Sequence, residues 1–78
     1  MTIEEFVALL HDEIGMPVAA EHLVRDLDSV PGWDSMNMVW LVAAMEARTG
    51  VRVALPEVLQ AGTLRAVHVL YTGDQAGA

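Results

Sequence analysis

The chain contains no cysteine and no lysine, and its four basic residues, all arginine, face eleven acids. Without cysteine, neither a disulfide nor a thiolate-held metal can stabilise it. A net charge of −7 repels phosphate backbones and argues against nucleic acid as a partner. Long hydrophobic runs are missing as well. The longest wholly apolar stretch, Met38 to Met45, falls far short of the ~20 residues that span a bilayer. The first residues, Met1-Thr2-Ile3-Glu4-Glu5, are acidic where a secretory leader is basic. These absences lead to the expectation of a soluble, cytoplasmic protein with no membrane partner. Serine is also scarce, present only as Ser29 and Ser35.

What remains is a short apolar chain. At 78 residues it is one domain, and 54% hydrophobic residues are too many for a disordered segment. A domain this small buries only about 60–65% of its unfolded surface, so its core must be economical. The charge is uneven. Residues 1–34 hold eight acids and Arg25, a balance of −7, whereas residues 35–78 hold three acids and three arginines and balance to zero. The acidic half either steers basic partners or keeps an apolar domain soluble.

In chain order, Ile3, Phe6, Val7, Leu10 and Ile14 recur at helical spacing and predict a helix over 3–14. Thr2 and Glu5 have the spacing of a capping box, and Gly15 is placed to end the helix. Residues 15–34 form a connection too long to be left structureless in so small a domain. Val18, Leu23, Leu27 and Val30 are positioned to pin it to the core, with a helical turn expected within 21–27. A second helix is predicted from Ser35 to Thr49, with Gly50 behind it. Val51-Arg52-Val53 is extended and too short for a sheet. A short third helix follows over 56–61, with Pro56 at its first position. Thr63 caps a fourth, whose Leu64, Val67, His68 and Tyr71 share one face, and Gly73 ends it. The expected fold is all-α: a four-helix bundle of three main helices and a short third one, with a long first loop. The domain is expected over 1–73, with a flexible tail over 74–78.

The second helix is the most informative. Met38, Leu41, Val42 and Met45 make one apolar stripe, and Met36, Trp40, Ala43 and Ala47 make another, with Val39 between them. One stripe suffices to join a core. A helix apolar on nearly all sides is either surrounded or presents a binding surface, and 78 residues leave little protein to surround it. The face made by Met36, Val39, Trp40, Ala43 and Ala47 is therefore expected to be exposed and to meet partner proteins, unless the long loop covers it. Methionine and tryptophan suit such a surface, because thioethers repack readily and tryptophan is a frequent interface anchor.

Chemistry concentrates where the loop meets this helix, at Val30-Pro31-Gly32-Trp33-Asp34-Ser35-Met36. Pro-Gly ends the loop, and Asp34 is a preferred N-cap. Ser35 then stands at the first helical position. There, free amides and the helix dipole favour a phosphate group. Ser29 follows an aspartate too, but opens no helix. Catalysis is not expected. His11, His22 and His68 lie outside the motif, the Gly-x-Ser-x-Gly elbow is absent, and the histidines fit no metal-ligand spacing. His68 is read as a core residue, and His11 and His22 as exposed.

Gly32-Trp33-Asp34-Ser35-Met36, followed by Leu41-Val42, Met45-Glu46 and Thr49-Gly50-Val51, resembles the acyl, peptidyl and D-alanyl carrier proteins over almost the whole chain. The resemblance implies that Ser35 receives 4′-phosphopantetheine from coenzyme A through a phosphopantetheinyl transferase. Asp34 would cap the helix and help present the serine, and Met36 would be gripped by partner enzymes. It further implies a monomeric, non-catalytic carrier. Such a carrier is loaded by a ligase or acyltransferase and serves synthase, condensing or tailoring enzymes. Fatty-acid carriers usually bear acids along this helix, whereas here Met38, Trp40, Ala43 and Ala47 are uncharged and Glu46 is the one acid in its body. That departure favours a discrete carrier of polyketide or nonribosomal-peptide type. A housekeeping fatty-acid carrier and an unmodified helical docking domain are the alternatives.

Overall fold

The structure, a computed structural model, describes residues 1–73. The tail expected over 74–78 lies outside the described residues. The fold is all-α, with four α-helices and no strand among the described residues.

The first helix, α1 (Ile3–Leu9), opens on the expected capping box. The Thr2 hydroxyl accepts from the Glu5 amide at 3.1 Å, and the Glu5 carboxylate accepts from the Thr2 amide at 2.8 Å. The chain stays helical to Ile14, but Leu10–Ile14 widens into π-helical turns before Gly15 ends it with φ +82°. Leu9, which the predicted stripe left out, is also buried, three residues after Phe6 and on the same side of the helix. Phe6, Leu10 and Ile14 are buried as expected, and Ile3 and Val7 are half-buried.

The long connection contains two short 3-10 segments, Ala20–Val24 and Leu27–Ser29, where one helical turn was predicted. Val18, Leu23, Leu27 and Val30 are all buried, and so is Met16, which the sequence showed only as part of a stop signal. Two histidines hold the loop locally. His11 Nε2 donates to the Val18 carbonyl at 2.6 Å, and His22 Nδ1 accepts from the Ala19 amide at 2.8 Å. His11 is exposed as expected, but His22 is half-buried because its ring turns back to cap the segment.

The longest helix, α2 (Ser35–Thr49), has the predicted bounds, with Asp34 as N-cap and Gly50 left-handed at its end. It is followed by α3 (Leu55–Ala61) and α4 (Leu64–Thr72). In α3, Leu55 is the first helical residue and Pro56 the second, a shift of one from the prediction. Proline's absent N–H is tolerated equally well at either place, since no first-turn amide has an intrahelical acceptor. Thr63 caps α4 by accepting from the Ala66 amide at 3.1 Å. Leu64, Val67, His68 and Tyr71 are buried together, so α4 lays its whole apolar stripe into the core. It packs against α2, α3 and the Ala20–Val24 turn, while the π-helical segment packs against α2. His68 is satisfied in the core by donating from Nε2 to the Met1 carbonyl at 2.8 Å, with its ring 5.2 Å from that of Phe6.

Candidate functional site

The site is built on the turn that leads into α2. The Trp33 amide donates to the Val30 carbonyl at 3.1 Å, closing a four-residue turn with Pro31 second and Gly32 third. Gly32 has φ +81°, the positive angle that a type II turn needs at that position. The turn is also crowded. A Cβ on Gly32 would stand 3.3 Å from Met16 Cγ and 3.4 Å from Pro17 Cδ, so the turn sits directly on the start of the long loop.

Asp34 then caps α2. Its Oδ1 accepts from the Asn37 amide at 2.7 Å, and its carbonyl accepts from the Met38 amide at 2.9 Å. Asn37 does a second thing that the sequence reading missed. Its Nδ2 donates to the Gly32 carbonyl at 2.7 Å and ties the first turn of α2 back to the Pro-Gly turn. The signal was present as an asparagine three residues after the cap. Asparagine at such a place is a local backbone binder as often as a solvent-facing residue.

These bonds fix the position of Ser35. It is exposed at the first helical position. Among the described residues, its hydroxyl bonds to no side chain, and the amides of Ser35 and Met36 take no protein acceptor. The first turn of α2 contains no acid beyond the capping Asp34. An anion held on the Ser35 oxygen would meet two unpaired N–H groups and the positive end of a 15-residue helix. Among the described residues, no histidine hydrogen-bonds to Ser35: His11 and His68 bond through Nε2 to Val18 and Met1, and His22 through Nδ1 to Ala19.

Next to Ser35, Met36 is 61% exposed, and one helical turn on Val39 is 46% and Trp40 53% exposed. Ala43 and Ala47 continue the same exposed face. The long loop does not cover it. Leu41 and Met45 are fully buried on the opposite side, with Met38 and Val42 half-buried beside them. Arginines lie at the far end of the helix, where Arg48 pairs with Glu13, and Arg52 with Glu46 at 3.3 Å. Both pairs are exposed, so each contributes little to stability.

Beside the turn lies a shallow cleft between the Leu27–Ser29 segment and α3, with Trp33 at one side and Leu59 at the other. Its walls are held together by backbone contacts. Asp26 and Thr63 form an isolated antiparallel bridge, and the Leu27 amide donates to the Gly62 carbonyl at 3.0 Å. Among the described residues, no helix is long and apolar enough to cross a membrane, and no three metal-ligating side chains gather. No protein-family model matches the chain, and searches of curated proteins and of solved structures return no match.

Proposed function

We propose that the chain is an acyl or aminoacyl carrier that tethers intermediates as thioesters on a 4′-phosphopantetheine arm at Ser35. The observation that carries this reading is the state of Ser35. It is an exposed hydroxyl at the start of the longest helix, beside two unpaired amides and, among the described residues, hydrogen-bonded to no side chain. These residues fit a phosphodiester. The helix end stabilises such an anion by about 0.3–1 kcal/mol. In the transfer, the Ser35 oxygen bonds to the phosphorus that carries pantetheine. The bond between the two phosphates of coenzyme A breaks, adenosine 3′,5′-bisphosphate leaves, and the serine proton passes to a base on the phosphopantetheinyl transferase.

The arm supplies a terminal thiol that holds cargo as an activated thioester at high local concentration. Everything else falls to the protein. Asp34, Asn37 and Gly32 hold the first turn of α2 rigid, so that Ser35 is presented in one orientation. Met36, Val39, Trp40, Ala43 and Ala47 present an apolar face to the transferase, the loading ligase or acyltransferase, and the synthase or tailoring enzymes. With no acid on that face, recognition rests on apolar contact. This favours a discrete carrier of specialised metabolism over a fatty-acid carrier.

Intact mass after incubation with coenzyme A and a broad-specificity phosphopantetheinyl transferase tests the proposal. The wild type gains one phosphopantetheine and Ser35→Ala gains none, although it melts like the wild type. An unmodified wild type, alongside a control carrier that is modified, overturns the reading. What then remains is a helical docking domain that uses the same apolar face.

A further inference from the structure

We propose that Met36 is a reversible oxidation site, and that a peroxide turns its thioether into a sulfoxide that blocks enzyme recognition of the neighbouring Ser35. The inference rests on the reading of Ser35 given above and adds to it a means of regulation.

Three observations converge. The first is the lack of a competitor. The chain has no cysteine, so before the arm is attached no thiol stands ahead of methionine sulfur as the target of a peroxide. The second is exposure. Of the five methionines, Met16 and Met45 are wholly buried, and Met1 and Met38 are half-buried against the core. Among the described residues, Met36 alone has an exposed thioether, with 61% of the residue in solvent. An oxidant reaches it without any opening of the fold, so one sulfur of the five should react first.

The third is the face on which it stands. Met36 follows Ser35 directly and begins the exposed apolar face continued by Val39, Trp40, Ala43 and Ala47. That face carries no charge, so a partner holds it by apolar burial. A sulfoxide oxygen stays hydrated in the free chain. Under an apolar partner it loses its water and gains no donor, so it opposes docking while leaving the fold alone.

The chemistry is self-contained. The sulfur lone pair attacks one oxygen of hydrogen peroxide and the O–O bond breaks. The departing hydroxide takes the proton left on the transferred oxygen and leaves as water. Sulfur is oxidised and the peroxide reduced. Two thiols of a methionine sulfoxide reductase reverse the step, giving the thioether, water and a disulfide.

The test treats the full, unmodified chain with hydrogen peroxide to the stage of one added oxygen, then removes the peroxide. Peptide mass mapping should place that oxygen on Met36. The singly oxidised chain should melt like the untreated one. With coenzyme A and the transferase, its kcat/KM should fall about tenfold, the equivalent of about 1.4 kcal/mol, through a raised KM. Methionine sulfoxide reductase should restore it. Met36→Leu keeps the volume and cannot be oxidised, so it should load like the wild type before and after peroxide. A first oxygen on another methionine overturns the site, and a lowered melting temperature overturns the free exposure on which it rests. Oxygen on Met36 with unchanged kcat/KM, or an equal loss in treated Met36→Leu, overturns the switch. If the untreated chain takes no phosphopantetheine beside a control carrier that does, the reading of Ser35 falls and the regulation with it. The mapping is independent of loading and tells that failure apart from a failure of Met36.

Discussion

At the residue scale, the site depends on groups with little freedom. Gly32 is the clearest, because its φ of +81° is open to glycine and strained for any other residue. Gly32→Ala adds both that strain and a contact 3.3 Å from Met16 Cγ. The methionine chain can yield by a few tenths of an ångström, so the backbone term dominates, at about 1–3 kcal/mol. Chemical denaturation should show a loss in that range, and a neutral result would mean that the turn relaxes to another geometry. Glu5 offers a second check at this scale. The Thr2 amide, and then the Thr2 hydroxyl, hold its carboxyl below the ordinary 4.5. A lowered pKa in the folded state means that the capping box stabilises fully above about pH 4.5 and is lost as pH falls through the lower folded value. Titration by NMR should place Glu5 below the ordinary 4.5, and Thr2→Ala should bring it part of the way back.

At the element scale, α2 divides its duties between two sides. Leu41 is fully buried and Trp40, its neighbour in sequence, is 53% exposed. Leu41→Ala should cost about 2–5 kcal/mol. A chain of 78 residues has a total stability of only about 4–12 kcal/mol, so that variant should be largely unfolded on warming. Trp40→Glu should change the melting temperature little, yet weaken binding to the transferase or to a partner enzyme by tenfold or more, the scale of about 1.4 kcal/mol at an interface anchor. Thermal melts and a binding titration separate the two effects. If Trp40→Glu unfolds the domain, the exposed face is not a free surface.

At the scale of the whole molecule, the fold compensates for its size by using nearly every apolar side chain in the loop. The radius of gyration is 11.1 Å against about 11.5 Å expected for a folded chain of this length. One core group is left unsatisfied. The Tyr71 hydroxyl is buried without a hydrogen-bond partner among the described residues. An unsatisfied buried hydroxyl costs about 1–3 kcal/mol, so Tyr71→Phe should leave the protein at least as stable, with a gain of about 1 kcal/mol expected. Burial, helped by the charge of Glu46, also raises the phenol above its usual 10.0. The folded protein therefore resists an ionisation that the unfolded chain undergoes, and stability holds below about pH 10 and falls as pH rises beyond it. Tyr71→Phe should flatten that alkaline limb, and an unchanged limb would trace it to other groups.

The sequence by itself determined the elements. Caps, glycines and the 3.6-residue recurrence are local signals, and they located α2 to its terminal residues, the capping box at Thr2 and the stripe of α4. The same locality singled out Ser35 and Asp34, because a helix start is written in adjacent residues. Only the tertiary structure decided what depends on distant parts of the chain. Met16 is core because the Pro-Gly turn closes over it. The face of Trp40 is open because α4 and the π-helical segment pack against α2 on the side of Leu41 and Met45. The cleft of Trp33 and Leu59 exists because Asp26 and Leu27 bond to Thr63 and Gly62, residues more than thirty positions away. Periodicity reports which side of an element is apolar. Which apolar side is covered is settled only when every element competes for the same small core.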